Sequence, residues 1–380
     1  MSAPLLIAMG TRPEFVKLAP LIAELRERST DLHVVITGQH WDDAMCTQFL
    51  RGVDADEVWK LEDPKEDRLA AMTALAAATI DRVRPRATVV LGDTHTVPIF
   101  ALASRRALVP VVHVEAGLRS LNPQSIEEVN RKIASAVASV HFAPTHDAAA
   151  FLLAEGVEPS RIHIVGNTAI DALTASGLET VPAQLRAGVL VTAHRPTNVD
   201  GDRLFELIDS IVAIERSIGH VTFPAHPRTL ARLRETGLDT ILVSAGVDLV
   251  TPLDHAGLLD RLRNSRLVIT DSGGLQEEAA FFGVPAVVLR RSTPRWEGVR
   301  AGVSALCSTS EVDVVNTAQR LLASPRVATH LYGSGIASKS IAAILTDPAT
   351  DRLLSLDEPD FTDGSLPRVL SEQQTDLVST

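Results

Sequence analysis

The chain has 380 residues, which exceeds one ordinary hydrophobic core and predicts two domains of roughly 150–200 residues each. Hydrophobic residues make up 45% and charged residues 22%, as in ordinary folded cytosolic proteins. The net charge is −11 and no run of five or more basic residues occurs. Nucleic-acid binding is therefore not expected, because it depends on neutralising phosphates with clustered cations.

The apolar runs, the first residues and the cysteines argue against membrane, secreted and zinc-binding proteins. The longest apolar runs, such as Ala87–Leu91 and Ala286–Leu289, are far too short to cross a bilayer, so we expect no membrane association. The first residues enter a strand-like segment without a basic region, so we expect no signal peptide and a cytoplasmic location. Cys46 and Cys307 are the two cysteines and cannot form a structural zinc set.

In the first half of the chain, short β-branched runs alternate with amphipathic stretches of about ten to fifteen residues. The predicted strands are Leu5–Met9, Leu32–Thr37, Ala87–Gly92, Val111–Ala116 and Val140–Ala143. The predicted helices are Phe15–Arg28, Arg68–Val83, Val97–Leu108 and Glu127–Val137. This alternation predicts βαβ units that form a parallel sheet with helices on both faces.

The alternation continues in the second half. The predicted strands there are Ile162–Val165, Val189–Ala193, His220–Ala225, Thr240–Val243, Leu267–Thr270 and Ala286–Leu289. The predicted fold class is α/β, with two Rossmann-like, doubly wound parallel-sheet domains facing a cleft. We expect the first domain at 1–166 and the second at 167–345. Residues 346–380 are polar and acidic, and we expect a C-terminal extension or tail there.

Ligands of open α/β sheets bind outside the carboxyl ends of the strands, so the residues that follow each strand are the candidates. After the first strand come Gly10 and Arg12, with Lys17 one turn into the helix. Both cations could meet a phosphate at the helix N-terminus, although a plain turn with solvated charges stays open. The chain has neither a P-loop nor a G-x-G-x-x-G turn after a strand, which argues against nucleoside triphosphates and nicotinamide cofactors.

Three carboxylates follow strands of the first half. Asp93 comes after the strand that ends at Gly92, Glu115 lies at the end of the next strand, and Glu127 opens the following helix. Clustered carboxylates raise one another's pKa, which provides a proton acceptor and a proton donor near neutral pH. A single strand-end carboxylate is more often structural, but three in one half of a cleft indicate catalysis.

The second half has histidines and a glycine-rich turn. The strand ending at Ala193 is followed by His194, and the next strand is followed by His226. Metal-ligand spacing is missing from the sequence, so no metal is expected. Ser272, Gly273 and Gly274 follow a buried strand and open a helix, so their backbone N–H groups would point at an anion; Glu278, one turn on, could accept both hydroxyls of a ribose. A nucleotide diphosphate on the second domain would then place its reacting group against the carboxylates of the first.

Across roughly residues 7–302 the chain resembles the non-hydrolysing UDP-N-acetylglucosamine 2-epimerases. The matching segments, in the family's order, are GTRPEFVKLAPLI, TGQHWD, LGDTHT, HVEAGLRS, EEVNR, GNTAIDAL, TAHRPTNVD, FPAHPRT, TDSGGLQEEA, FGVP and TPRWEGVRAG. Each segment is moderately specific, and the ordered set is highly specific.

The resemblance implies a glycosyltransferase-B-like fold and reversible conversion of UDP-GlcNAc to UDP-ManNAc by elimination and re-addition of UDP, without cofactor or metal. It also implies a homodimer. The residues it assigns to catalysis are Asp93, Glu115, Glu127, Lys17 and His194. The residues it assigns to substrate binding are Arg12, Gln39, Arg131, Ser272, Gly273, Gly274, Glu278 and Arg295.

Several positions depart from the family's pattern. The loop before Glu127 is about two residues short, which makes Glu128 the fallback for that role. The usual T-E-R-P-E reads T-P-R-W-E at residues 293–297, so the loop beside the diphosphate is altered. Leu258 stands where some members stack an aromatic ring on uracil, and Asp42 stands where many have a glutamine at an activator site.

Three alternative functions stay open from the sequence. The first is a related UDP-sugar enzyme, either a 2-epimerase of a modified hexosamine or one that releases UDP and free sugar. The second is a glycosyltransferase, which would share the fold but would have little use for three carboxylates facing the sugar. The third is a non-catalytic UDP-sugar sensor, which should have lost Asp93, Glu115 or Lys17.

Overall fold

The fold is known from a computed structural model, which describes residues 3–38, 57–60, 67–323, 330–358 and 362. Within these residues, two all-parallel sheets are each flanked by helices. The first sheet has seven strands in the order β3-β2-β1-β4-β5-β6-β7, and the second has six in the order β10-β9-β8-β11-β12-β13. The predicted α/β class with two doubly wound parallel sheets is confirmed.

The first sheet is formed by the strands β1 Leu5–Met9, β2 Leu32–Ile36, β3 Glu57–Lys60, β4 Ala87–Leu91, β5 Val111–Val114, β6 Val140–Ala143 and β7 Ile162–Ile164. The helices along this part of the chain are α1 Arg12–Glu27, α2 Arg68–Val83, α3 Thr96–Arg106, α4 Ile126–Val137, α5 His146–Ala154 and α6 Thr168–Ala175. The interior strand β1 pairs with β2 and β4, so Ile7 lies between Val34 and Val89.

The second sheet is formed by the strands β8 Val189–Thr192, β9 Val221–Pro224, β10 Asp248–Val250, β11 Leu267–Thr270, β12 Ala286–Val288 and β13 Ser304–Leu306. The helices of this part are α7 Pro196–Val199, α8 Asp202–Ser217, α9 Pro227–Thr236, α10 Leu238–Ser244, α11 His255–Asn264, α12 Gly273–Phe282, α13 Trp296–Ala301 and α14 Glu311–Ala323. Two further helices follow, α15 Ala337–Thr346 and α16 Thr350–Leu354.

Each sheet is covered by apolar side chains on both faces, which explains why its strands read as continuous hydrophobic runs. On one face of the first sheet, Leu18 and Leu21 of α1 pack with Ile341 of α15 and Leu354 of α16. The chain therefore returns to the first sheet after the second is complete. Helix α15 lies within residues 337–346, most of which were assigned from the sequence to the second domain. The boundaries at 166/167 and 345/346 stay predictions.

One predicted strand is wrong: Thr240–Val243 lies within α10. Its β-branched residues favour a strand, but the segment follows Gly237, which ends α9 in a left-handed conformation. Leu238 and Leu242 are buried four residues apart, whereas Val243 is exposed. This spacing is the period of a helix, and packing overrides the intrinsic strand preference. The strand beside β9 is instead β10, which was not predicted.

Among the described residues, no helix combines the length and apolar character that a membrane span requires.

Candidate functional site

A cavity of about 380 Å³ lies between the two sheets at the carboxyl ends of their strands. Residues from both halves of the chain line it: Arg12, Pro13, Val16, Lys17, Ala169, Ala172, Leu173, Thr192, His194, Leu253, His255, Leu258, Ser272, Gly274, Leu275 and Glu278. Six residues predicted from the sequence are among them: Arg12, Lys17, His194, Ser272, Gly274 and Glu278. The cavity is thus the predicted cleft.

The turn between β1 and α1 is held by a capping box. Oε2 of Glu14 accepts hydrogen bonds from the backbone N–H groups of Gly10 at 2.9 Å and Thr11 at 2.7 Å. Gly10 is required here, because a Cβ atom would overlap the hydroxyl groups of Thr37 and Thr96. Burial raises the pKa of Glu14 to about 7, although its hydrogen bonds act in the opposite direction. This rigid turn places Arg12 at the first position of the helix, at the cavity wall.

Lys17 and Glu115 form a largely buried ion pair, with Nζ of Lys17 2.7 Å from Oε1 of Glu115. Glu115 follows β5 in a left-handed conformation, with φ at 60°, which is costly for a residue with a side chain. Burial would raise the pKa of Glu115, but the positive charges of Lys17 and Arg295 outweigh it and lower the pKa below its ordinary value. Glu115 is therefore an anion paired with Lys17, which lines the cavity.

Arg295 comes from the second half of the chain and carries its own buried carboxylate partner. Its Nε atom lies 2.8 Å from Oε1 of Glu277, and the same oxygen accepts a hydrogen bond of 3.0 Å from the side chain of Asn167. Burial and the negative charge of Glu115 raise the pKa of Glu277 against the opposing effect of Arg295 and Lys17. Two cations and two carboxyl groups thus meet where the halves of the molecule contact each other.

Asp93 follows β4 and contacts the guanidinium of Arg131 on α4. Beside it, the side-chain amide of Asn130 donates a 2.8 Å hydrogen bond to the backbone carbonyl of Asp93. Arg131 is buried, whereas about a third of the Asp93 side chain is exposed, so the carboxylate remains accessible. The sequence predicted both residues, and the structure shows that they form one unit.

Glu127 and Glu128 differ in what surrounds them. Glu128 is buried and accepts hydrogen bonds from the backbone and hydroxyl of Ser120, from the backbone of Leu121 and from Arg131, at 2.9–3.0 Å. Glu127 is half-buried and accepts a hydrogen bond from the hydroxyl of Ser125. The carboxylate of Glu128 is therefore bound by structural hydrogen bonds, and Glu127 is the more accessible carboxylate of this helix.

Arginines of the second half act on Glu127. Burial would raise its pKa, but the hydroxyl of Ser125, its own backbone N–H and the charges of Arg195 and Arg131 lower it. Arg290 also lies in this region, and burial together with the neighbouring charges of Arg195 and Arg295 lowers its pKa to about 10. Arg195 and Arg290 were not among the predicted site residues, and their positive charges act on Glu127 from the second half of the chain.

His194 is oriented by Asp271, a buried residue that was not predicted. Nδ1 of His194 lies 3.0 Å from Oδ1 of Asp271, and Oδ2 accepts hydrogen bonds from the backbone of Arg195 at 2.9 Å and the side chain of Asn198 at 3.0 Å. Burial would raise the pKa of Asp271, but these partners lower it. An anionic Asp271 fixes the proton on Nδ1 and leaves Nε2 of His194 for a ligand.

The N-terminus of α12 opens onto the same cavity. Ser272 caps this helix by accepting a hydrogen bond from the N–H of Leu275 at 3.4 Å. The first-turn N–H groups of a helix have no partner inside the helix, and they carry partial positive charge. At Gly273 a Cβ atom would lie 3.2 Å from Nη1 of Arg295, so glycine allows the close approach of that guanidinium. This end of the cleft is suited to a phosphate group.

Glu278 lies one turn further along α12, with Oε1 2.9 Å from Nε2 of His255. His255 begins α11, lines the cavity and was not predicted. A histidine within a polar stretch gives no periodic signal, so the sequence offered nothing that singled it out. Together the two side chains present a hydrogen-bonding pair to the cavity.

Several predicted site residues do not line this cavity: Asp93, Glu115, Glu127, Arg131, Gly273 and Arg295. Arg295 is buried beside Glu277 rather than at the cavity wall. Gln39 and Asp42 both lie outside the described residues. Within the described parts of the chain, no group of three or more histidine, cysteine, aspartate or glutamate residues is arranged to hold a metal ion.

The two doubly wound parallel sheets and the cleft between them define a two-domain α/β protein with a glycosyltransferase-B-like fold. Residues 23–346 match the family model described as UDP-N-acetylglucosamine 2-epimerase. The chain belongs to this family. The ordered motifs of the sequence predicted the same membership, and that prediction is confirmed.

Individual relatives agree with the family model. UDP-N-acetylglucosamine 2-epimerase of Methanocaldococcus jannaschii is 34% identical over 90% of this chain and 98% of that protein. The enzyme of the same name from Bacillus subtilis is 36% identical over 87% of this chain and 92% of that protein. The crystal structure of the M. jannaschii enzyme in complex with UDP-GlcNAc and UDP has a TM-score of 0.80 at 33% identity, and covers 90% of this chain and 99% of that chain.

Proposed function

We propose that the chain reversibly inverts carbon 2 of UDP-N-acetylglucosamine to give UDP-N-acetylmannosamine. The observation that carries this proposal is the pairing of two kinds of chemistry in one cleft. The N-terminus of α12, with Arg12 and His194, is suited to a diphosphate, and Lys17 of the same cavity is paired with the carboxylate of Glu115. The family membership and the names of the relatives favour this function over the alternatives left open by the sequence.

The binding mode that we propose runs along the second sheet. The diphosphate lies at Ser272, Gly273 and Gly274, where the helix end, Arg12 and Nε2 of His194 supply donors. Glu278, oriented by His255, accepts the ribose hydroxyls. The uracil then reaches the apolar end of the cavity near Leu258. This places the sugar toward the first sheet.

The chemistry that we propose has two matched steps. A carboxylate takes the proton from C2, the electron pair forms the C1–C2 double bond, and the C1–O bond breaks as UDP leaves. A proton is then delivered to the opposite face of C2, and an oxygen of UDP attacks C1 to restore the bond. Elimination followed by addition leaves the oxidation level unchanged, so the proposal needs neither nicotinamide nor metal.

The groups that serve these steps are drawn from Asp93, Glu115 and Glu127. A base near neutral pH must be ionised and an acid must be protonated, so the environments of the three carboxylates decide the roles. Glu115 and Glu127 have lowered pKa values, which suits proton acceptors. Lys17 holds Glu115 in place, and Arg131 holds Asp93. The departing diphosphate is stabilised at the other end of the cleft.

Proton NMR of the purified protein with UDP-GlcNAc in deuterated water, without added cofactor, tests this function. We expect deuterium at C2 together with signals of UDP-ManNAc. Binding of UDP without exchange at C2 would contradict the proposal, because the site would then hold the nucleotide but act on a different sugar or transfer the sugar elsewhere.

The quaternary state and the location expected from the sequence stay predictions. We propose a homodimer that works in the cytoplasm, as the resemblance to the family and the composition imply. Light scattering coupled to size-exclusion chromatography measures the molar mass, which should be twice the 40.7 kDa of the chain. Fractionation of cells that express the protein tests the location.

A further inference from the structure

Helix α13 is one of the parts of the second half that contact the first half of the chain. The indole Nε1–H of Trp296 donates a hydrogen bond of 2.8 Å to the backbone carbonyl of Arg119. On the same helix, Glu297 is hydrogen-bonded to Thr145 and Arg300 pairs with Asp147. Trp296 belongs to the altered T-P-R-W-E segment, so its contact is a feature of this chain.

The carbonyl that Trp296 reaches belongs to a residue that is fixed from the other side. The Arg119 side chain is fully buried, its Nε lies 2.8 Å from Oε1 of Glu155, and its Nη2 donates a 2.8 Å hydrogen bond to the hydroxyl of Ser135. Arg119 is therefore anchored in the first half of the chain by its side chain and bound from the second half through its backbone carbonyl.

That backbone carries the donors that hold α4. The N–H groups of Ser120 and Leu121 donate to the carboxylate of Glu128 at 2.9 and 3.0 Å. Leu121 has φ at 59°, a conformation that L-residues adopt only where their surroundings enforce it. The segment of residues 119–121 is thus a tight connection between the hydrogen bond of Trp296 and Glu128.

Glu128 leads directly to two of the three candidate carboxylates. Its neighbour in the chain is Glu127, at the first turn of α4. Its oxygen Oε2 also lies 3.0 Å from Nη2 of Arg131, whose Nη1 contacts Asp93. One hydrogen bond from the second half of the chain therefore ends on the segment that holds Glu128, and Glu128 is next to Glu127 in the chain and paired with the arginine that contacts Asp93.

A simpler interpretation is that Trp296 only fills space between the domains. That role would be shared with Arg300, whose contact with Asp147 also joins the two halves but involves no residue of the 119–121 segment. The hydrogen bond of Trp296 ends instead on the backbone that holds Glu128, and this specific connection distinguishes the two residues.

We propose that Trp296 is a positioning residue, which couples contact between the two domains to the placement of Glu127 and Asp93. This inference rests on the proposed function and adds to it. Placing the carboxylates correctly only when the second domain is seated would prevent proton transfer from an incompletely closed site. Small displacements of proton-transfer groups have large effects on rate, so the loss of this one donor should be measurable in turnover.

The variant W296F tests the inference, because it removes the N–H donor and keeps an aromatic ring. We expect kcat for UDP-GlcNAc to fall about tenfold while KM and the affinity for UDP stay within about twofold, since Trp296 does not line the cavity. The primary deuterium isotope effect on kcat, measured with substrate deuterated at C2, should rise because proton transfer becomes slower. The matched control is R300A, which removes an exposed contact of the same helix and should keep kcat within about twofold.

A second variant, S135A, loosens Arg119 from the first domain without touching the interface. This variant should lower kcat about threefold with the same rise in isotope effect. It tests the positioning role if W296F does not fold. An unchanged isotope effect in both variants, or an equal loss of turnover in R300A, would overturn the positioning role. Absence of C2 exchange in the wild-type enzyme would instead refute the proposed function itself.

Discussion

The ammonium group of Lys17 lies 2.7 Å from the carboxylate of Glu115, and both side chains are almost entirely removed from solvent. Burial alone would raise the pKa of Glu115. The charge of Lys17 is the largest effect that opposes burial, and that of Arg295 adds to it. Glu115 is therefore ionised at neutral pH because of these neighbours.

In the variant K17M, Glu115 should remain protonated up to a higher pH than in the wild type. With the nearest cation removed, burial dominates and the pKa of Glu115 rises. The acidic limb of the plot of log(kcat/KM) against pH therefore moves to higher pH. At pH 7 we expect kcat/KM to fall about 100-fold, as for the loss of an effective proton-transfer group. A series of initial rates between pH 5 and pH 9 measures the shift.

The conservative control is K17R, which restores a positive charge at this position. It should return the acidic limb toward its wild-type place even if the rate stays lower, because a guanidinium differs in shape from an ammonium. An acidic limb that is identical in K17M and the wild type would mean that Glu115 does not take the proton.

Two neighbouring glutamates provide a second prediction. E127Q should lower kcat at least 100-fold and leave the stability close to that of the wild type, because Glu127 is half-buried and accepts a single side-chain hydrogen bond. E128Q should instead unfold at a temperature roughly 5 °C lower, since about 2 kcal/mol is lost when a buried acceptor network is broken.

Differential scanning calorimetry and initial-rate kinetics of both variants separate the two roles. The reverse result, with E127Q unstable and E128Q stable but inactive, would assign the proton-transfer role to Glu128. That outcome would agree with the shorter loop before Glu127, which made Glu128 the alternative candidate in the sequence.

The sequence predicted the elements that present the cleft because they depend on local signals. Strand ends followed by polar residues placed Arg12, Lys17 and Ser272 at the carboxyl edges of the sheets, and the structure brings them to one cavity. Leu5–Met9 and Leu267–Thr270 were predicted with the observed bounds. The ordered family motifs supplied the pairing of the two halves, which local signals cannot give.

The missing parts of the site depend on tertiary contacts. Asp271 and Glu277 stand inside a motif that was recognised, but their roles arise only when they are buried beside His194 and Arg295. Arg290 and His255 belong to no periodic pattern. The error at Thr240–Val243 has a related cause, because the burial of side chains four residues apart decided between a strand and a helix.

A third prediction concerns acid stability and His141, a buried residue of β6. Burial lowers its pKa to about 3, well below the value of about 6.5 in an unfolded chain. Between these values the unfolded state binds more protons, so the contribution of His141 to stability falls as the pH falls from about 6.5 toward 3. By pH 4 this amounts to roughly 3 kcal/mol relative to neutral pH.

The variant H141Q cannot be protonated and still carries an amide donor. Its free energy of unfolding in urea, compared with that of the wild type at each pH from 7 to 4, should show a difference that changes by this amount in favour of the variant. Comparison of the two proteins cancels groups such as Glu14, whose raised pKa changes stability with the opposite sign. A constant difference across this range would show that His141 is protonated in the folded state as easily as in the unfolded state.

The final prediction separates binding from chemistry with one substitution at Asp93, which does not line the cavity, and one at Arg12, which does. D93N should abolish C2 exchange, with a loss of at least 1000-fold, because an amide cannot accept or donate the proton of C2. Its affinity for UDP should stay within about twofold, since Asp93 contacts Arg131 and does not line the cavity that we assign to the nucleotide.

R12A should show the opposite pattern. Arg12 lines the cavity at the start of α1, and loss of a charged donor to a diphosphate costs about 1.5–3 kcal/mol, or roughly 10- to 100-fold in the dissociation constant of UDP. Isothermal titration calorimetry measures the affinity of both variants for UDP, and deuterium exchange at C2 measures their proton transfer. All four results must agree with the roles proposed for Asp93 and Arg12. Wild-type UDP affinity in R12A would remove Arg12 from the diphosphate site. Wild-type exchange in D93N would remove Asp93 from proton transfer, and the remaining carboxylates, Glu115 and Glu127, would then have to serve both faces of C2.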